Sequence, residues 1–332
     1  LDRDAAPLLR LLREQLSASI DQNRFDWLYR KCPQGEAKVW VALETESGRL
    51  IGAAAVFPRK IHSADSAGTG FVLGDFCVSV DQRSLGLAIQ LQKKCLENVQ
   101  SGAFSTGYDL PSRNMLAVYR RLGVREGGLF NRMVKLLRSD EKVAQKVKAK
   151  RVAKILSGAA NAALTITSGS LKLRSGASVE LQRGRCGEEF SELARDVGNK
   201  LGTCVERSAE YLNWRYLDHP QQKFEILAAR HGGRLVGYVI LAHEGSSTTM
   251  MDLFSAEAAE IRKDLVRTAV ALSKSRGSES VQASILTSHP YHGELKTLGF
   301  RSRESSPVIF FGGAKDKAGN HHWLLMDGDR ES

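Results

Sequence analysis

The sequence predicts a mixed α/β protein built from two similar halves, each alternating strands with helices. Three observations lead there. The chain has 332 residues, too many for one small domain and suited to two of roughly 150 residues each. β-rich runs alternate with stretches of helical periodicity along the whole length. Above all, the order of elements in the first half recurs in the second, and so long a repeat constrains the fold more than any single motif.

The repeat is read from paired segments. Trp27-Leu28-Tyr29 leads to the strand Val39-Trp40-Val41-Ala42-Leu43, the turn Glu46-Ser47-Gly48 and a strand opening Arg49-Leu50-Ile51-Gly52. Trp214-Arg215-Tyr216 leads likewise to Phe224-Glu225-Ile226-Leu227-Ala228, the turn His231-Gly232-Gly233 and a strand opening Arg234-Leu235-Val236-Gly237. Each is a hairpin around a glycine-bearing turn. Further on, Tyr119-Arg120-Arg121-Leu122-Gly123 matches Leu295-Lys296-Thr297-Leu298-Gly299, a helix closing on a glycine cap.

In chain order, Leu8, Leu9, Leu12 and Leu16 share one face of a helix over 4–16. After the hairpin come a strand over 72–80, a helix over 84–99, a short strand over 103–106, a helix over 112–122 and strands to about 137. The second half opens with a strand over 179–182 and a helix carrying Phe190, Leu193, Ala194 and Val197. That opening strand has no counterpart in the first half, which is expected to have lost it to truncation or disorder. The expected units are 1–138, a basic helical linker over 139–176, and 177–332.

Composition excludes several classes. Hydrophobic residues at 42% and charged residues at 26% rule out a disordered tail, a collagen-like fibre and a disulfide-stapled miniprotein. Five scattered cysteines (Cys32, Cys77, Cys95, Cys186 and Cys204) lack any C-x-x-C spacing, which argues against a zinc ribbon and for a reducing compartment. The histidines, His289, His292, His321 and His322 among them, have no metal-like companions, so no metal is expected. No apolar run reaches the length of about 18 residues that a bilayer span needs. No signal peptide opens the chain, which begins at Leu1 and is expected to have lost residues upstream. The expected location is cytoplasmic, or the inner face of a membrane.

Net charge is +11, which favours acidic partners: cofactor phosphates, a nucleic acid or an anionic membrane surface. Nucleic acid ranks last, because no basic stripe is interleaved with aromatics. Between the halves, Lys142, Lys146, Lys148, Lys150, Arg151 and Lys154 alternate with Val143, Val147, Val152 and Ile155. The segment 141–156 reads as a solvated connecting helix or as a basic amphipathic helix in peripheral contact with anionic lipid. The Gly- and Ser-rich stretch 157–176 reads as loop.

The segment that carries chemistry runs over 73–92. Within it Arg83-x-x-Gly86-x-Ala88 fits the pattern [QR]-x-x-G-x-[GA]. The pattern is common, and Arg49-Leu50-Ile51-Gly52-Ala53-Ala54 fits it inside a strand. Only the loop at 83–88 has a strand before it and a helix after it. First-turn N–H groups of a helix have no intrahelical acceptor and lie at its positive end, a site for phosphate. Gly86 lets an anion approach the backbone, Ala88 keeps the next turn small and Arg83 adds charge at the rim. The other reading is a plain strand-to-helix turn.

With that loop, the element order and Asn114-Met115-Leu116-Ala117-Val118-Tyr119-Arg120-Arg121-Leu122-Gly123, the sequence resembles the GNAT superfamily of coenzyme A-dependent N-acyltransferases, in particular its tandem, two-domain type. The family commonly ends this helix in Tyr-x-x-x-Gly-Phe; here Val124 replaces the Phe. The resemblance implies an α/β fold of the α+β kind with two tandem GNAT-like domains, each a mixed, mostly antiparallel twisted sheet flanked by helices, the first binding the cofactor. The amides of Ser84, Leu85, Gly86, Leu87 and Ala88, with Arg83, would then bind the coenzyme A pyrophosphate, and the strand through Cys77, Val78 and Ser79 would pair with the pantetheine arm. Asn114 would orient the cofactor or a water, unless it serves the helix N-terminus.

The resemblance also implies that Tyr119 protonates the departing thiolate. A phenol of pKa about 10 keeps its proton at neutral pH and can give it up as charge develops on sulfur. A buried core aromatic is the competing reading. A backbone N–H near Val78 would stabilise the oxyanion, and Asp75 is the nearest carboxylate able to act as base. An acyl-cysteine at Cys77 is disfavoured because no histidine neighbours it in sequence. The second half has no such loop, Glu257 and Glu260 would repel a pyrophosphate, and Leu295 stands where the first half has Tyr119. It is expected to be a degenerate domain that shapes the acceptor site or supports the fold. Trp214, Arg215 and Tyr216 read either as facing the acceptor or, like the equivalent Trp27 and Tyr29, as packing, and packing is the expected role.

The activity these readings imply is direct transfer of an acyl group, acetyl by preference, from acyl-coenzyme A to an amine. By the same resemblance the expected acceptor is a small molecule, an amino sugar or a lipid amine of cell-envelope or polysaccharide synthesis, or an aminoacyl or carrier-bound group, handled by a bacterial monomer or homodimer. The alternative is a non-catalytic protein with degenerate domains that binds acyl-coenzyme A or an anionic partner.

Overall fold

The chain begins with α1 (Ala5–Gln15), which buries Leu8, Leu11 and Leu12, and α2 (Gln22–Tyr29), started by Asp21 Oδ1 accepting the Arg24 N–H at 2.8 Å. Leu16, expected on the buried face, caps the helix instead and is 42% exposed. The computed structural model describes residues 4–62, 67–100, 104–137, 173–198, 200–255, 258–312 and 322–331. The expected basic segment 141–156, with most of the linker, lies outside them.

The first half continues with β1 (Lys38–Leu43), β2 (Leu50–His62), β3 (Ala67–Val78), α3 (Leu85–Gln100), β4 (Thr106–Asp109), α4 (Arg113–Arg121) and β5 (Gly128–Leu136). The second half contributes β6 (Ser178–Leu181), α5 (Glu188–Gly198), β7 (Thr203–Val205) and α6 (Ala209–Leu212), which runs into one π-type turn over Asn213–Leu217. There follow β8 (Phe224–His231), β9 (Arg234–Glu244), β10 (Ser247–Ser255), α7 (Ala259–Ser275), β11 (Ser280–Leu286), α8 (Pro290–Thr297), β12 (Arg301–Gly312) and β13 (Trp323–Leu324). The fold class is as expected: a mixed α/β architecture, antiparallel except where β3 meets β4, β10 meets β11 and β13 meets β7 among the described residues.

Period-two alternation sets the layers. On β2, Ala53, Ala55 and Phe57 face one cluster with α1 and α2, while Ala54 and Val56 face another with Leu91, Cys95, Leu96 and Val99 of α3 and Met115 and Val118 of α4. The glycine caps fall where the repeat placed them: Gly123 at φ +70° and Gly299 at φ +87° end α4 and α8. The short strand before α4 starts three residues later than expected, at Thr106, because its pairing partners, Phe71 and Val72 of β3 and Ile309 to Gly312 of β12, lie in distant parts of the sequence.

The thirteen strands among the described residues form one sheet, ordered β13-β7-β2-β3-β4-β12-β5-β11-β10-β9-β8-β6, with β1 also on β2. The halves exchange strands at its centre. β5, from the first half, pairs with β11 and β12; β12, from the second half, pairs with β5 over Arg301–Val308 and with β4 over Ile309–Gly312.

Candidate active site

β3 and β4 pair at only two positions, Phe71 beside Gly107 and Val72 beside Tyr108. β4 then stops at Asp109 while β3 runs on to Val78. Between them β3 carries a bulge: its register against β2 slips between Ala53 and Ala55, and Asp75 sits there at φ +44°. A bulge bends its strand, and an aspartate tolerates the left-handed backbone better than most residues. Arg24 and Tyr29 of α2 hold it in place: Asp75 accepts from Arg24 Nη1 at 3.1 Å, from Arg24 Nη2 at 3.2 Å and from the Tyr29 hydroxyl at 2.8 Å. From Leu73 to Val78 the far edge of β3 has no strand partner among the described residues.

The opening so formed is a cleft of about 1030 Å³, lined among others by Cys77, Val78, Asp109, Asn114 and Tyr119. At its mouth β3 passes through one 3-10 turn (Val80–Gln82) into α3, so residues 83–88 do lie at a strand-to-helix junction. Ala88 N–H makes its helical bond to the Ser84 carbonyl at 3.2 Å, and Leu87 N–H is capped by Ser84 Oγ at 3.2 Å. Of the amides expected to bind an anion, these two are therefore spent inside the helix. The N–H groups of Leu85 and Gly86 precede the helical ladder. A Cβ added at Gly86 would meet nothing within 4 Å, so the fold itself does not require glycine there. The bare backbone is open to approach from outside, as a diphosphate needs. Arg83, Ser84 and Leu85 also line the cleft, and all three are exposed.

Tyr119 is 1% exposed in the inner wall. Its hydroxyl donates to Asp109 Oδ2 at 2.5 Å and accepts from Gln92 Nε2 at 3.2 Å. Burial pushes the Asp109 carboxyl up to about 7, against the lowering effect of the Tyr119 bond. Burial, then the Asp109 charge, push the Tyr119 phenol well above its ordinary value. Burial, then Asp75, push the Cys77 thiol up to about 12, which keeps it protonated and inert at neutral pH.

The other expected residues are placed as follows. Asn114 is exposed and lines the cleft; the cap of α4 is Ser112, whose Oγ accepts the Met115 N–H at 3.2 Å. Val78 is paired with Gly52, and the buried Ser79 N–H donates to the Ile51 carbonyl at 2.8 Å on the β2 side. Asp75, expected as base, has both carboxylate oxygens bonded by Arg24 and Tyr29, which fix it at the bulge. Sequence reasoning missed Asp109, Gln92, Arg24, Tyr29 and Glu331. Glu331 lines the cleft, accepts from Arg59 Nη2 at 3.0 and 3.2 Å, and is pushed by burial to about 7. A signal for Asp109 did exist: Tyr108-Asp109-Leu110-Pro111-Ser112 is a strand end, a proline break and a cap, which turns Asp109 back toward the helix carrying Tyr119.

The second half repeats the geometry but fills it. β10 and β11 pair only over Ser247–Thr249 and Ser280–Gln282. Past that point residues 323–329 insert: Met326 bridges Ile285, Met326 Sδ accepts the Leu253 N–H at 3.2 Å, and Asp327 Oδ2 accepts the Ser284 N–H at 2.8 Å. Asp329 and Asp252 pin Arg207 there, each with an oxygen at 2.9 Å. At the start of α7, Glu260 pairs with Lys263 at 2.6 Å, and Leu295 is a buried core residue. Glu257 lies outside the described residues. Among the described residues no helix is long and apolar enough to cross a membrane, and no cluster of three or more His, Cys, Asp or Glu side chains could hold a metal ion.

No family model matches the sequence, and no curated protein does. Solved structures do match in fold. A probable N-acyltransferase from Enterococcus faecalis V583, a conserved protein of unknown function, aligns over 93% of this chain and 69% of its own at 12% identity, with a TM-score of 0.64. A GCN5-related N-acetyltransferase from Anabaena variabilis ATCC 29413 aligns over 93% and 70% at 12% identity, with a TM-score of 0.65. Another from Kribbella flavida aligns over 93% and 68% at 13% identity, with a TM-score of 0.61. The chain has the fold of the GCN5-related N-acetyltransferases.

Proposed function

We propose that the protein is an N-acyltransferase that moves an acyl group, acetyl by preference, from acyl-coenzyme A to an amine by direct attack in the cleft between β3 and β4. The observation that carries this is the bulge-driven splay of β3 from β4, opening onto the bare first turn of α3, with a tyrosine hydroxyl in the wall. The fold neighbours support the same reaction class.

Each part of the cleft has a task in that reading. Leu85 and Gly86 N–H groups, with Arg83, would hold the pyrophosphate. The unpartnered edge of β3 from Leu73 to Val78 offers backbone donors and acceptors to the amides of a pantetheine arm, as a strand edge does to a peptide. Acyl-coenzyme A supplies an activated carbonyl and a thiolate leaving group. Tyr119 holds the proton that the thiolate needs. Asp75 keeps the bulge in place, and the second half, its own gap filled, supports the first. The acceptor enters from the side lined by Ser17, Ser19, Ile20 and Glu331, where an amino sugar or a lipid amine would meet the thioester. The basic segment 141–156 would add a peripheral membrane contact for a lipid acceptor.

Calorimetry with coenzyme A and acetyl-coenzyme A tests the reading. Micromolar binding that raises the melting temperature is the expected result, since a ligand bound only by the folded state stabilises it. Absence of binding, or binding without any release of thiol in the presence of an amine panel, would favour a non-catalytic protein.

A further inference from the structure

Tyr119 Oη has one proton and two lone pairs to place. One lone pair accepts from Gln92 Nε2 at 3.2 Å. The proton is committed to Asp109 Oδ2 at 2.5 Å, so with an ionised Asp109 the hydroxyl presents only a lone pair to the cleft. A proton donor facing away from its target cannot act. With Asp109 protonated, the bond reverses: the carboxyl donates to Oη, Gln92 keeps its place, and the phenolic proton is released toward the cleft that both residues line.

We propose that Asp109 is a positioning residue whose protonation turns the Tyr119 proton toward the thioester and replaces it once it has left. This rests on the reading of Tyr119 as proton donor. In that step the amine nitrogen bonds to the thioester carbon, the carbon–sulfur bond breaks with its electron pair passing to sulfur, the Tyr119 proton moves to that sulfur and the Asp109 proton moves to Tyr119 Oη. The proton shed by the amine goes to solvent, and Asp109 recovers one from solvent before the next turnover. An ionised Asp109 blocks the step twice, because it also places a carboxylate beside the phenolate that would form.

The surroundings suit the switch. The groups that face Asp109 are Tyr119 from α4, Cys95 from α3, Glu331 from the C-terminal segment and the Leu110 backbone N–H; β12 brings only the apolar Ile309 opposite it. Burial is the largest influence on the Asp109 carboxyl and brings it to about 7.

Carbon-13 carboxyl NMR of aspartate-labelled protein tests the proposal without any acceptor. The Asp109 signal, identified by its loss in Asp109→Asn, is expected to titrate near pH 7 and to move higher in Tyr119→Phe. Tyr119→Phe keeps the ring packing and so identifies the signal even where Asp109→Asn fails to fold. An Asp109 ionised throughout pH 5–9 would overturn the proposal. The second arm follows thiol release from acetyl-coenzyme A, with a primary amine panel or with water as acceptor. The wild-type rate should fall about tenfold per pH unit above about 7 relative to Asp109→Asn. The same alkaline limb in both proteins would also overturn it. If acetyl-coenzyme A is neither bound nor cleaved by wild-type protein, the acyltransferase reading fails, while the titration still decides the switch.

Discussion

Trp27 and Trp214 stack with ring centroids 4.9 Å apart and planes 18° apart, and each indole N–H donates to the other residue's backbone carbonyl, at 2.8 and 3.0 Å. The two residues occupy equivalent places in the two repeats, so the contact is an isologous one within a single chain. It shows how a duplicated element serves twice: the same aromatic packs against its own copy. Trp27→Ala and Trp214→Ala should each lower the unfolding free energy by about 3–5 kcal/mol. The double substitution should cost less than the two together, because they share one contact. Urea unfolding measures all three, and additive losses would show that the rings do not support one another.

Gly86→Glu places a carboxylate where the bare amides of α3 lie open. Coenzyme A binding should weaken by at least roughly a hundredfold, through lost approach and like-charge repulsion. The melting temperature should stay put, since nothing lies within 4 Å of a new Cβ. Calorimetry and a thermal melt on the same sample separate the two effects.

Tyr119→Phe removes one oxygen from a packed ring. The expected result is a kcat at least about tenfold lower with the coenzyme A dissociation constant unchanged. Unchanged turnover would take Tyr119 out of the reaction and leave it as a core aromatic.

Arg24 and Asp75 distinguish support from chemistry. Arg24→Ala leaves a carboxylate that is 8% exposed without its cation, held by Tyr29 alone, and should cost about 3 kcal/mol of stability together with coenzyme A affinity. Asp75→Asn, if Asp75 only holds the bulge, should lower stability and leave the pH dependence of turnover unaltered. Loss of turnover in a protein that melts like wild type would restore it as a base.

Asp109 also makes a statement about stability. Its carboxyl titrates near 7 when folded and near 3.9 when unfolded. Between those values the folded state binds the extra proton, so its contribution to stability falls as pH rises and reaches its lowest level above 7. Asp109→Asn escapes this loss. The variant should match or fall below wild type near pH 4 and gain on it up to pH 8, by roughly 2–6 °C in Tm. Differential scanning calorimetry at the two pH values checks the sign.

How much of this was legible follows from range. The loop at 83–88 was readable because strand, glycine and helix are consecutive in sequence, and the anion site is made by backbone geometry within a few residues. Tyr119 was readable only through the resemblance, since a tyrosine on an amphipathic helix is equally a core residue. Asp109 lies ten residues from Tyr119, close enough to have been found had the short strand before α4 been placed three residues later. Asp75 was picked out for its carboxylate, yet its role depends on Arg24 and Tyr29, which come from the helix α2 about fifty residues earlier.

The sequence alone determined the alternation of elements, the repeat, its glycine caps and the junction that begins α3. All of these are short-range consequences of periodicity and backbone freedom. Tertiary structure alone decided that β5 and β12 cross between the halves, that residues 323–329 fill the second gap, and that the one proton of Tyr119 is held by Asp109. Those outcomes depend on which distant backbone edges and buried polar groups find partners once water is excluded, and a buried group takes whatever partner the whole fold brings to it.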